Sequence, residues 1–191
     1  MEKTNVWKDV AKYGAIIGAL LAVSFMLETR LMLSASFGLY ALEWIVVVAL
    51  HYYLLHRFTR QYSMNNFSIE TGFSFGQGYG YVLSVSAVAG IIVGVVQYLY
   101  LHLFIGYANY TERISNTFTE YIAQNGGVPA SMESMLAQTF EQLQNAPEPS
   151  MLKTVWGGTF SGVLFGAIFG LIIAGVLARA PKPFDNTAAN E

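Results

Sequence analysis

The sequence predicts an all-α membrane protein: a four-transmembrane-helix bundle with an extracytoplasmic helical hairpin between the third and fourth spans. Three observations predict it. Hydrophobic residues make up 54% of the 191 residues and charged residues only 12%, with a mean hydropathy of +0.43. A soluble globular domain carries about 25% charge, so this chain has half the polar coat that water demands. Four long stretches are free or nearly free of charge, and none alternates polar and apolar residues as a barrel strand would. The basic residues are also distributed unevenly among the connections. The length suits one integral membrane domain over 1–191.

The first span is expected over about 10–29, within YGAIIGALLAVSFML and its flanks. Lysines followed by an apolar run also fit a signal peptide, but Glu28 and Arg30 interrupt before any small-residue cleavage site, so a retained span is expected. The second span, 37–55, holds Glu43 as its sole formal charge. The third, 79–104, and the fourth, 154–178, hold none. These lengths match the roughly 20 residues a helix needs to cross about 30 Å of hydrocarbon.

Residues 56–78 contain turn formers (Asn65-Asn66, Gly72, Gly76, Gly78) and are expected to form a loop. Residues 107–149 are the sizeable polar region, expected as the helical hairpin. Ile114, Phe118, Tyr121 and Ile122 make one apolar stripe at helical spacing, and Gly126-Gly127 would stop that helix. Pro129 would open the next, whose stripe is Met132, Met135, Leu136, Phe140 and Leu143, closed by Pro147 and Pro149. Its acidic residues outnumber its basic ones by three, counting Lys153.

Seven of the ten lysines and arginines fall on one side of these spans: Lys3, Lys8, Lys12, Arg57, Arg60, Arg179 and Lys182. Basic loops stay in the cytoplasm, so both termini are expected there. A formal net charge of -2 offers no basic surface for nucleic acid. Gly76-x-Gly78-x-Gly80 lacks the Gly-Lys-Ser/Thr ending of a phosphate loop, so no nucleotide is expected. With no cysteine, thiolate metal sites are excluded; His51 and His56, five apart, do not share a helix face. No metal, cofactor or catalytic residue is expected, and no Gly-x-Ser-x-Gly elbow appears.

Two features stand out as candidate sites. Glu43 lies six residues into its span, where a carboxylate costs up to about 3 kcal/mol on insertion scales and needs compensation. With Gln97 and His102 at similar depth it makes a candidate intramembrane polar cluster, either a structural clamp, a side chain reaching Arg30, or a proton or cation site. Gly158, Gly162, Gly166 and Gly170 climb one face of the fourth span, a candidate helix-packing face. Gly14, Gly18 and Ala22 give the first span a similar face, and Gly90 and Gly94 the third. Such a ridge serves packing within the chain, a homo-oligomer, or a pore.

The block Phe73-Ser74-Phe75-Gly76-Gln77 precedes an apolar third span, and Tyr13-Gly14-x-x-x-Gly18 follows an N-terminal lysine. With a Glu- and Met-containing hairpin and a basic ending at Arg179, these features resemble the uncharacterised four-helix membrane family DUF4199. The resemblance covers about Val10 to Ala178 and implies a bacterial inner-membrane protein, with no activity to carry over. Gln138, Gln142 and Gln144 depart from a hairpin richer in Lys and Glu.

Two functions remain open. One is a non-enzymatic structural or assembly protein of the inner membrane, its partners the lipid bilayer and either a second copy or another membrane protein. The other is a small oligomeric transporter or ion-coupled permease using Glu43.

Overall fold

The structure, a computed structural model, describes residues 5–68, 70–127 and 129–181. Its elements are α1 (Val6–Leu33), α2 (Phe37–Asn66), α3 (Phe75–Leu99), a π-helical turn (Tyr100–Ile105), α4 (Tyr107–Gln124), α5 (Ala130–Asn145) and α6 (Met151–Leu177). The described residues hold no strand beyond one isolated bridge. Four helices are long and apolar enough to cross a membrane: α1, α2, α3 with its π-turn, and α6. Lys3 and Lys182, counted above with the basic residues, lie outside the described residues.

Each of these helices runs beyond its apolar stretch, because polarity ends a span without ending a helix. α2 continues past residue 55 through His56, Arg57 and Arg60 to Asn66, so the loop expected over 56–78 shrinks to 67–74. α3 starts at Phe75 rather than 79 because Ser74 and Gln77 form a capping box. The Ser74 Oγ accepts from the Gln77 N–H at 3.3 Å, and the Gln77 Oε1 accepts from the Ser74 N–H at 2.8 Å. The Asn5 side chain caps α1 through the Trp7 N–H at 3.0 Å, and Ser150 caps α6 through the Lys153 N–H at 3.3 Å.

α3 is the central helix, with small-residue contacts on two sides. On the α1 side, a Cβ built on Gly14 would lie 2.7 Å from the Val88 Cβ, and one on Gly18 would lie 3.1 Å from the Ala89 backbone. On the α6 side, a Cβ on Gly158 would lie 2.6 Å from the Gly90 carbonyl oxygen. One on Gly162 would lie 2.5 Å from the Ser86 carbonyl oxygen, and one on Gly166 would lie 2.6 Å from the Ser86 side chain. Gly170 meets the Tyr79 ring. Removing the side chains lets the two backbones touch, which gains dispersion contacts that lipid cannot supply. Two residues before each ridge glycine, about 200° round the helix, stand the exposed Trp156, Phe160, Leu164 and Ile168.

The apolar core occupies the half of the molecule away from α4 and α5. Ile17, Leu55, Val82, Val85 and Ile173 are buried there. Tyr81 stacks on Tyr62 with ring centroids 4.1 Å apart and is 4% exposed. A strap closes this end. Phe73 and Arg179 exchange two backbone hydrogen bonds of 2.9 Å, and the Phe73 ring packs against Tyr62 and Phe67. The Arg179 Nη2 donates to the Ser63 and Phe67 carbonyls at 3.2 and 2.8 Å, so a cation meets the negative end of α2. Gly72 carries a φ of +65°, and a Cβ there would lie 2.7 Å from the Arg179 carbonyl oxygen.

At the opposite end α4 follows Gly106, stops at Asn125, and is followed by Gly126 and Gly127 at φ +93° and +76°. Phe118 meets Phe37 of α2 at 5.0 Å and Phe140 of α5 at 6.3 Å between ring centroids.

Candidate functional site

α1, α2, α3 and α6 enclose the core at one end and diverge towards the other. α3 stays against both α1 and α6, whereas the first half of α2 contributes no buried residue. A cavity of about 610 Å³ results in the half nearer α4 and α5. Its walls are largely apolar, with Phe25, Trp44, Val48 and Phe165 among them. Seven polar side chains interrupt these walls: Ser24 and Glu28 from α1, His51 from α2, Gln97 from α3, and Lys153, Thr154 and Ser161 from α6.

Ser24 and Glu28 lie one helical turn apart and therefore share a face. The Ser24 hydroxyl donates to Glu43 Oε1 at 2.5 Å and stands 3.2 Å from Glu28 Oε1. Three oxygen-bearing side chains from two helices thus meet at one point. The second Glu43 oxygen is buried and has no hydrogen-bond partner among the described residues. His51 is 6% exposed, sets its ring edge-on to Phe169 at 5.4 Å, and leaves its Nε2 without a partner. Among the described residues, no group of three or more His, Cys, Asp or Glu side chains is arranged to hold a metal ion.

Of the cluster expected from sequence, Gln97 reaches the cavity and Glu43 is joined to it through Ser24. His102 is placed elsewhere. Its Nδ1 lies 2.9 Å from the Tyr98 carbonyl oxygen, and its ring is stacked between Tyr98 and Tyr107 at 4.1 and 5.3 Å. The π-turn re-aims this segment, and nothing in the spacing of residues 97–105 signalled it. The hydrogen bond of Glu43 therefore runs to α1, not to Gln97 or His102 of the third span. The ridge glycines Gly158, Gly162, Gly166 and Gly170 face α3, and Gly158 and Gly162 also border the cavity.

Sequence reasoning missed Ser24, Glu28, His51 and Lys153 as cavity residues. The available signal was Ser24 and Glu28 at i, i+4 on one face of the first span. The span expected over about 10–29 ends beside Glu28, whereas α1 continues to Leu33.

Four helices of membrane-crossing length and apolarity, with polar side chains gathered between them, define an integral membrane protein. The chain belongs to the family described as protein of unknown function (DUF4199), whose model matches residues 12–179. The block that carries that resemblance has a structural role: Phe73 is buried, Ser74 and Gln77 cap α3, and Arg179, where the match ends, closes the strap. No curated protein and no solved structure matches the chain significantly.

Proposed function

We propose that this is a non-enzymatic protein of the bacterial inner membrane that binds a small solute between its helices, in the manner of an ion-coupled permease. The supporting observation is the cavity of about 610 Å³ at span depth, with carboxyl, imidazole and amide groups on or joined to its walls. Ionisable groups inside a span cost several kcal/mol to insert, on the order of 3 each. A chain that needed only rigid packing would be more stable with apolar residues at these positions. In this reading both termini lie in the cytoplasm, α4 and α5 form an extracytoplasmic hairpin, and the cavity opens towards that side.

The absence of cysteine makes the test direct, since any introduced thiol is unique. Ser161→Cys and Val93→Cys, on the cavity wall, are expected to react with a charged, membrane-impermeant thiol reagent added outside intact cells. Val46→Cys, exposed on α2 but not on the cavity, is expected to stay unlabelled. Absence of labelling at both cavity positions defeats the proposal.

A second reading, assembly with another membrane protein, is favoured by one observation. Met132 and Met135 of α5 are exposed, 42% and 55%, and methionine gives an adaptable apolar surface. Crosslinking from Met135→Cys to a partner would support it.

A further inference from the structure

We propose that Glu28, Ser24 and Glu43 hold one exchangeable proton at the cavity wall, so that the ion coupled to solute binding is a proton. This deepens the reading above and rests on it for access to water. The argument begins with hydrogen bookkeeping. A serine hydroxyl has one hydrogen. The Ser24 hydroxyl lies within hydrogen-bonding distance of two carboxyl oxygens, Glu43 Oε1 at 2.5 Å and Glu28 Oε1 at 3.2 Å. If both carboxyls were ionised, one of these contacts would set lone pair against lone pair. One added proton completes the chain: a protonated carboxyl donates to Ser24 Oγ, and Ser24 donates to the other carboxylate.

Two further groups point to a travelling proton rather than a static clamp. The second Glu43 oxygen is buried without a partner. His51 lines the same cavity, is 94% buried by its 6% exposure, and leaves Nε2 unpartnered. His51 follows Glu43 by eight residues on α2, about 12 Å along the axis. It stands where the cavity meets the packed core. A metal cation fits less well: among the described residues no group of three or more His, Cys, Asp or Glu side chains is arranged to hold one.

The other charged or titratable groups around the trio are few. Tyr40 of α2 lies within electrostatic reach of both carboxyls, and Lys153 of α6 lines the cavity. α3 and its π-turn contribute the neutral Gln97, the Tyr100 ring against Phe25, and His102, which is tied to Tyr98. α4 brings Tyr107 and Tyr110, the latter facing Tyr40, while Arg30 of α1 is exposed. Lys153 is therefore the one cation among the described residues that line the cavity.

The test is infrared difference spectroscopy of the full chain in lipid nanodiscs, in H2O and in D2O at neutral pH. The expected result is a protonated-carboxyl C=O band that moves on deuteration. It should be lost in both Glu28→Gln and Glu43→Gln, since a glutamine amide supplies the hydrogen that the proton supplied. It should survive in Asp9→Asn, which removes a buried carboxyl outside the trio. Ser24→Ala keeps both carboxyls, so the band should remain at a shifted frequency even if the glutamine variants accumulate poorly. No band, or a band insensitive to both glutamine changes, overturns the proposal. A band that does not move in D2O, while Ser161→Cys labels from outside, overturns it too and leaves the solute-binding reading standing. Failure of the cysteine labelling alone strikes that reading instead.

Discussion

Phe73 and Arg179 face each other as a pair of extended residues, each donating its N–H to the other's carbonyl at 2.9 Å. One precedes α3 and the other follows α6, so the two most closely packed helices are also joined at their ends. The same arginine caps α2 through the Ser63 and Phe67 carbonyls. Three helices therefore converge on one residue.

Phe73→Ala should cost about 3–5 kcal/mol, the range for emptying a buried phenylalanine site. Arg179→Ala should cost about 1.5–3 kcal/mol through the lost charged hydrogen bonds. Arg179→Lys should rescue part of this loss, because one nitrogen, Nη2, makes both contacts and an ammonium also carries more than one donor. Thermal unfolding of the detergent-purified protein measures all three.

The glycines of α6 should divide by what a methyl group would meet. At Gly158 and Gly162 a Cβ would come within 2.6 Å of an α3 carbonyl oxygen, so Gly158→Ala and Gly162→Ala should force the helices apart and lower the melting temperature. At Gly175 nothing lies within 4 Å. Gly175→Ala should raise stability by up to about 1 kcal/mol through helix propensity. Equal effects at the three positions would contradict the packing described above.

His51→Leu removes a buried nitrogen without a hydrogen-bond partner and keeps a side chain of similar bulk. Stability should hold or rise by about 1 kcal/mol, the usual cost of an unsatisfied buried group. Solute binding or proton movement should fall in the same variant. A residue retained for structure alone would give the reverse, and paired melting and flux measurements separate the two.

Burial raises the Tyr110 phenol above its ordinary value, with Tyr107 and Tyr40 adding to the effect. The unfolded chain then loses this proton first, from about pH 10 upward, and holds fewer protons than the folded one. Stability should therefore fall as pH rises through that range, and Tyr110→Phe should lessen the fall. Melting curves at neutral and alkaline pH provide the comparison.

The four long apolar helices were legible because hydropathy reports the surrounding solvent, which is what a membrane changes. The stop at Gly126-Gly127 and the opening at Pro129 were legible because backbone chemistry is local. The length of α2 was not, since Arg57 and Arg60 mark the edge of an apolar layer and a helix passes through that edge intact. The site was half legible. Glu43 drew attention by its cost inside a span, yet its partner depended on which helices are neighbours. Glu43 bonds to Ser24, nineteen residues away across the α1–α2 turn, rather than to the third span. The π-turn at 100–105 rotated His102 away from the direction that regular helical spacing gave it.

α2 is packed tightly at one end and loosely at the other, where Phe37 meets Phe118 and Glu43 bonds to Ser24. Its buried residues, from His51 to Ser63, all lie in the second half, while Leu39, Leu42, Ile45 and Val46 of the first half remain more than half exposed. A rod packed firmly at its base and touched at few points along its upper length responds to the thickness of the film around it. Thinner lipid should lean such a rod over and thicker lipid should stand it upright, at a fraction of a kcal/mol per Å. Trp44 and Val48 ride on that rod, so the room available to a guest becomes a property of the lipid as well as of the polypeptide.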